Sequence, residues 1–221
     1  MNYIYCASIK GLEWSHLQSQ KKILNSSTQK DLEQFRFNED KCRSLVGKML
    51  LLYILKKHEN FQKNTLPDIS YNHYQKPIID SMQGGFNISH SNSWVVCAYN
   101  DQGAIGVDIE KKVPINIHEY KEALTNSEYY SFINNKKLDF FQLWTLKEAI
   151  MKAEGSGFFL SPSSFEIPFP FINHSQINIK ENNWYLYSQN FQDQYMLSIA
   201  SAHNTEHETV VIVLQDNILL T

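Results

Sequence analysis

Two groups of charged side chains stand at spacings that bring each group onto one face. In "GVDIEKKVP" (106–114), Asp108 and Glu110 are two residues apart, between and beside Val107 and Ile109. In an extended strand both carboxylates leave one face and the apolar pair leaves the other. In "WTLKEAIMK" (144–152), Trp144, Glu148 and Lys152 recur every four residues and form one helical stripe, a carboxylate one turn before an ammonium. Leu143, Leu146, Ala149, Ile150 and Ala153 are left to cover a core. Alone, either group reads as solvated surface: an outer strand face, or an i,i+4 pair worth a few tenths of a kcal/mol. Together they offer a hard cation what it needs. Mg²⁺ takes carboxylate oxygens and completes its shell with water and substrate phosphates, so Asp108, Glu110 and Glu148 would be an adequate protein share. Three carboxylates beside a lysine describe a phosphoryl-transfer site.

Weaker candidates lie upstream. "GGFNISHSNSW" sets Ser89 and His90 after a short apolar strand, where a turn can offer N–H groups, a hydroxyl and an imidazole to an anion. A hydrogen-bonded loop histidine is an equal reading. Arg43 with Ser44, and the "YQKP" of Tyr74, Gln75, Lys76 and Pro77, read by themselves as helix surface and as a turn.

The elements that must position these residues follow from periodicity. A polar first segment runs to about Lys30. In "FRFNEDKCRSLVGKMLLLYILKKHEN", Asn38 can cap, acids fill the first turn, and the apolar density from Leu45 to Leu55 predicts a helix buried on most sides. After Pro67, "DISYNHYQKPIID" holds short strands. "WVVCAY" and "AIGVDIE" flank "NDQG", which predicts a hairpin with the acidic pair on its second strand. Thr125 and Glu128 stand at capping-box spacing, and the "KKLDFFQLWTLKEAIMKAEGSGF" periodicity ends at Gly155, a natural helix stop. "SSFEI", "QINIK", "NWYLYS", "QYMLSIASA" and "TVVIVLQ" read as short strands, making a helix pair against a meandering sheet. "WVVCAYN" is loosely echoed in "YMLSIASAHN", a hint of internal repetition too low in identity to count as a repeat.

Bulk properties bound the reading. The 221 residues allow one domain or two lobes of about a hundred residues each, divided here as 1–103 and 104–221. A formal charge of −3 gives no broad footprint for nucleic acid. Three cysteines, Cys6, Cys42 and Cys97, have no paired spacing, which fits a reducing compartment rather than disulfides or a zinc site. Neither an export signal nor an 18-residue apolar run is found, so a cytoplasmic protein without membrane contact is expected.

Taken in order and spacing, "FRFNEDKCRS", "YQKP", "FNISHS", "WVVCAY", "GVDIE" and "WTLKEAIMKAEGSGF" resemble the larger, pseudo-dimeric 4'-phosphopantetheinyl transferases that activate carrier domains of peptide and polyketide synthetases. The resemblance spans about residues 30 to 170, and the "GVDIE" and "WTLKEA" pair carries most of its specificity. It implies an α+β fold of two similar lobes related by a pseudo-twofold axis, with coenzyme A in the cleft between them and an apo acyl or peptidyl carrier protein as partner of a monomer. It further implies Mg²⁺ on Asp108, Glu110 and Glu148, with Glu148 and Lys152 catalytic. Coenzyme A would be held by Arg43, Ser44, Tyr74, Gln75, Lys76, Pro77, Ser89, His90, Asp108, Lys147 and Lys152. Two departures stand out. Relatives often carry a lysine-rich stretch near 28–31 for the 3'-phosphate, where this chain has Thr28, Lys30 and Asp31, and their turn usually reads YGKP, where this chain has Gln75. Two alternatives remain: a Mg²⁺-dependent nuclease or phosphodiesterase, which an acidic cluster with a lysine would also serve, and, within what the resemblance implies, a non-catalytic module binding coenzyme A or a carrier.

Overall fold

The structure, a computed structural model, describes residues 1–135 and 138–212. The first sheet is centred on β1 (Asn2–Ser8), so the opening of the chain is not the polar segment its flanks imply. Ile4, Tyr5, Cys6 and Ala7 are all fully buried. Short α1 (Trp14–Leu17) and α2 (Ser26–Glu33) lead to α3 (Asn38–His58), the long helix expected from the apolar run. Its N-cap position is Phe37, one residue before Asn38. The two-residue strands β2 (Ser70–Tyr71) and β3 (Pro77–Ile78) pair with each other. A hairpin of β4 (Gly85–Ser91) and β5 (Trp94–Asn100) follows.

The second sheet begins with β6 (Ile105–Lys111). Next come α4 (Asn126–Asn134), opened by the Thr125/Glu128 capping box, and α5 (Phe140–Glu154), capped by Asp139 and ended by Gly155 in the left-handed region (φ 80°). β7 (Gln176–Ile179), β8 (Asn182–Phe191), β9 (Tyr195–Ser201) and β10 (His207–Ile212) complete the chain. "SSFEI" forms no strand; its two serines belong to a 3₁₀ turn over Pro162–Ser164. Of "KKLDFFQ", Lys136 and Lys137 lie outside the described residues, as do the last three residues of "TVVIVLQ".

Strand order is β10-β1-β5-β4 in one sheet and β6-β9-β8-β7 in the other. In each lobe a first strand is followed by helices, the last of which packs on the sheet, and then by a hairpin whose second strand returns antiparallel beside the first: β1, α3, β4, β5, and then β6, α5, β8, β9. β5 and β9 hold equivalent places, and they carry the two echoing segments. β10, from the far end of the 104–221 segment, crosses back to pair in parallel with β1.

The predicted hairpin between β5 and β6 does not form. Asn100 Oδ1 accepts from the backbone N–H groups of Gln102 and Gly103 at 2.7 and 2.9 Å, and the chain leaves the first sheet there. Ile105, Val107 and Ile109 then pack face-on against Ile4, Cys6, Val96 and Ala98, while β6 takes its ladder from β9. A strand with one apolar face is equally satisfied by stacking on a sheet or by joining it, and stacking wins here. This inter-sheet core joins the two lobes. The others lie under α3 and under α5.

Candidate active site

Asp108 and Glu110 occupy the face of β6 opposite the inter-sheet core, and α5 lies close over that face because Gly106 has no side chain. A Cβ at Gly106 would meet the Ala149 carbonyl oxygen at 2.0 Å and the Ala153 nitrogen at 2.4 Å. The apolar stripe of α5 is buried as its spacing predicts, which turns Glu148 and Lys152 toward the acids. Lys152 Nζ donates to Asp108 Oδ1 at 2.6 Å and to Ser89 Oγ at 3.1 Å. Asp108 is only 3% exposed, so the acidic pair is no solvated outer face.

The third wall is β4, which runs beside β6 joined by side chains instead of a backbone ladder. Asn87 Oδ1 accepts from Val107 N at 3.0 Å, Ser89 Oγ donates to Asp108 Oδ1 at 2.8 Å, and Ser91 Oγ donates to Glu110 Oε2 at 2.8 Å while accepting from Lys111 N. Ser89 and His90 thus sit within a strand, not in a turn after one, and point to opposite faces. Asn87 and Ser91 escaped sequence reasoning, although three polar residues at alternate positions of one strand were a usable signal.

The carboxylates repel one another. Burial raises the pKa of Glu110, with the Asp108 and Glu148 charges adding to it against Ser91 and Lys152. Burial likewise raises Glu148, Lys152 opposing and Asp108 reinforcing. Glu148 therefore faces the same field as the strand pair. Among the described residues no set of three His, Cys, Asp or Glu side chains is already gathered as a metal cage, and the Lys152 ammonium stands among the acids instead. The donor set nonetheless fits a hard cation, because Asp108 Oδ2 is buried without a hydrogen-bond partner beside two carboxylates whose neutral forms are favoured only by burial and mutual repulsion.

The remaining predicted residues sort into two ends of a groove. At one end, Arg43 Nε donates to the Asn92 carbonyl while its other nitrogens pair with Asp40 and Glu39. Ser44 Oγ accepts from Lys48 Nζ at 2.8 Å. His90 opens to solvent at its edge, yet lost hydration and then the Arg43 and Lys152 charges lower its pKa, so it stands between this end and the acids. Lys30 is exposed on α2. At the other end, Tyr74 to Pro77, Asn87, Met151, Lys152, Gly155 and Gly157 line a cavity of about 160 Å³. Asn72 Oδ1 braces this turn through Tyr74 N and Lys76 N, and its Nδ2 donates to the Gly155 carbonyl. Lys76 Nζ donates to the Ala153 carbonyl at 2.6 Å, and burial lowers its pKa to about 8. Lys76 therefore seals the C-terminus of α5. Gln75 holds the left-handed backbone (φ 66°) that glycine adopts without cost.

Lys147 is a correction. It is fully buried in the second lobe, paired with Glu128 Oε1 at 2.9 Å and donating to the Pro162 and Phe165 carbonyls. Three acceptors use all three ammonium protons, and none remains for a phosphate. One residue before Glu148 is about 100° round the helix, which puts Lys147 on another face.

A family model described as the 4'-phosphopantetheinyl transferase superfamily matches residues 104–200, and one for the N-terminal part of 4'-phosphopantetheinyl transferase matches 13–102. The 4'-phosphopantetheinyl transferase Sfp of Bacillus subtilis is 30% identical over 193 residues, covering 84% of this chain and 85% of that protein. The chain belongs to the 4'-phosphopantetheinyl transferase superfamily. This transferase is of the larger, two-lobed type. It is also similar to the 4'-phosphopantetheinyl transferase gsp of Aneurinibacillus migulanus, at 35% identity over 133 residues (58% of this chain, 55% of that one), and to ffp of Bacillus subtilis, at 26% over 204 residues (89% and 90%). Among the transferase's described residues no helix is long and apolar enough to cross a membrane.

Proposed function

We propose that this enzyme moves the 4'-phosphopantetheine arm of coenzyme A onto a serine of an apo acyl or peptidyl carrier protein, with Mg²⁺, releasing adenosine 3',5'-bisphosphate, and works as a cytoplasmic monomer. The observation that carries the reading is the meeting of Asp108, Ser89 and Lys152 from β6, β4 and α5, with Glu110 and Glu148 in the same field. Asp108, Glu110 and Glu148 would hold the metal. When bound, it would neutralise phosphate charge that otherwise repels a nucleophile.

The chain's own groups do the rest. The turn from Tyr74 to Pro77 receives the adenine and Arg43, Ser44 and His90 the phosphorylated ribose, which lays the diphosphate across Lys152. Glu148, whose pKa is raised by burial and by Asp108 against the opposing Lys152 charge, accepts the proton of the carrier serine, directly or through a water, as that oxygen attacks the β-phosphorus. Lys152 offsets the charge that develops on the phosphates, so catalysis is mainly positioning and electrostatics.

The test is mass spectrometry of a fatty-acid-type and a peptide-synthetase-type carrier after incubation with coenzyme A or its dephospho form. The expected result is a carrier heavier by one phosphopantetheine. An unmodified carrier of both types would leave a binding module, and cleavage of plasmid DNA would favour a nuclease. Asp108→Ala should abolish transfer at any Mg²⁺ concentration with an unchanged circular dichroism spectrum; substantial retained transfer would remove it as a ligand.

A further inference from the structure

We propose that the Lys152 ammonium is a resident counter-cation of Asp108, which a diphosphate must draw away before a divalent ion can take full hold, so that metal and coenzyme A phosphates bind cooperatively. The inference rests on the functional reading above and adds a coupling that the reading does not contain.

Asp108 is unevenly served. Its Oδ1 receives Lys152 Nζ at 2.6 Å and Ser89 Oγ at 2.8 Å, and Lys152 also reaches Ser89, closing a three-membered network. Its Oδ2, equally buried, has no partner. A buried carboxylate without a counter-charge is costly, which gives the ammonium reason to stay. Nothing locks it there. The Lys152 side chain is 28% exposed against 4% for Asp108, it ends a flexible four-carbon stem, and it lines the cavity that the turn at Tyr74–Pro77 also lines. Glu110 and Glu148 both feel its charge.

A divalent ion approaching these carboxylates alone would meet a like charge across a poorly hydrated gap. An incoming diphosphate offers the ammonium another anion and frees Asp108. Linkage makes the effect mutual: a diphosphate that raises metal affinity has its own affinity raised by the same factor. Ser89, hydrogen-bonded to both partners, keeps Asp108 oriented while Lys152 moves.

The experiment is calorimetric titration of Mn²⁺ alone, without coenzyme A, into the wild-type protein and into Lys152→Met, Lys152→Gln and Asp108→Asn. Removing a neighbouring positive charge should tighten Mn²⁺ binding in both Lys152 variants by about tenfold or more, and Asp108→Asn should lose it. Mn²⁺ should also raise the melting temperature of Lys152→Met more than that of the wild type. With coenzyme A present, the gain in Mn²⁺ affinity should be large in the wild type and small in Lys152→Met. Equal or weaker Mn²⁺ binding in both Lys152 variants would overturn the proposal. Failure of the wild type to load a carrier would instead overturn the functional reading and leave the Mn²⁺ comparison standing.

Discussion

Individual side chains here are set by what they face more than by their type. Glu128 and Lys147 form a buried pair, with Glu128 also accepting from Ile167 N and Thr125 N, so removing one partner strands the other. Lys147→Met should cost about 3–5 kcal/mol by chemical denaturation, and pairing it with Glu128→Leu should recover part of the loss. A change confined to coenzyme A affinity, with stability untouched, would return Lys147 to the site. Gln75 makes the opposite case. It stands at φ 66° with Asn72 bracing the turn around it, and a left-handed non-glycine residue costs about 1–2 kcal/mol. Gln75→Gly should therefore raise the unfolding free energy by up to about 1 kcal/mol, read as a higher denaturation midpoint, once the greater freedom of an unfolded glycine is deducted. A lower midpoint would show that the Gln75 side chain makes contacts worth more than the strain.

Among the elements, α5 and β6 depend on each other. Gly106 lets the helix approach until Ala149 and Ala153 lie against the strand, and only at that distance does Lys152 reach Asp108. Gly106→Ala should destabilise the protein by about 1–3 kcal/mol through overpacking and lower kcat beyond what the lost fold predicts, since Glu148 and Lys152 would be lifted from the acids. Unaltered turnover in the folded fraction would separate helix placement from catalysis. The joint of β4 and β6 is built likewise from Asn87, Ser89 and Ser91, so the hydroxyls that shape the site also bind the two lobes.

For the whole molecule, the turn at Asn72–Pro77 belongs to the first lobe but caps a helix of the second, through Lys76 on Ala153 and Asn72 on Gly155. The sign of its pH dependence follows from Lys76. Its pKa is lowered from 10.5 to about 8 by burial, so between those values the unfolded chain binds more protons and stability rises with pH. Compared with Lys76→Met, the wild type should gain melting temperature as pH rises from about 8 toward 10.5 and show a constant difference below about 7. A flat difference across the range would mean that the ammonium is not desolvated in solution. The turn is also the proposed adenine site, so the same variant should raise KM for coenzyme A.

The four-residue spacing of Trp144, Glu148 and Lys152, the two-residue spacing of Asp108 and Glu110, the Thr125/Glu128 box and the Gly155 stop were all legible in the chain, because helix and strand periodicity are local properties. Long-range choices were not. Whether β6 would pair with β5 or stack on it, whether the opening residues would become the centre of a sheet, and whether Lys147 would face a phosphate or Glu128 all depended on which surfaces the lobes had to bury together. A local pattern states which residues share a face, while the partner of that face is set by the packing of residues a hundred positions apart.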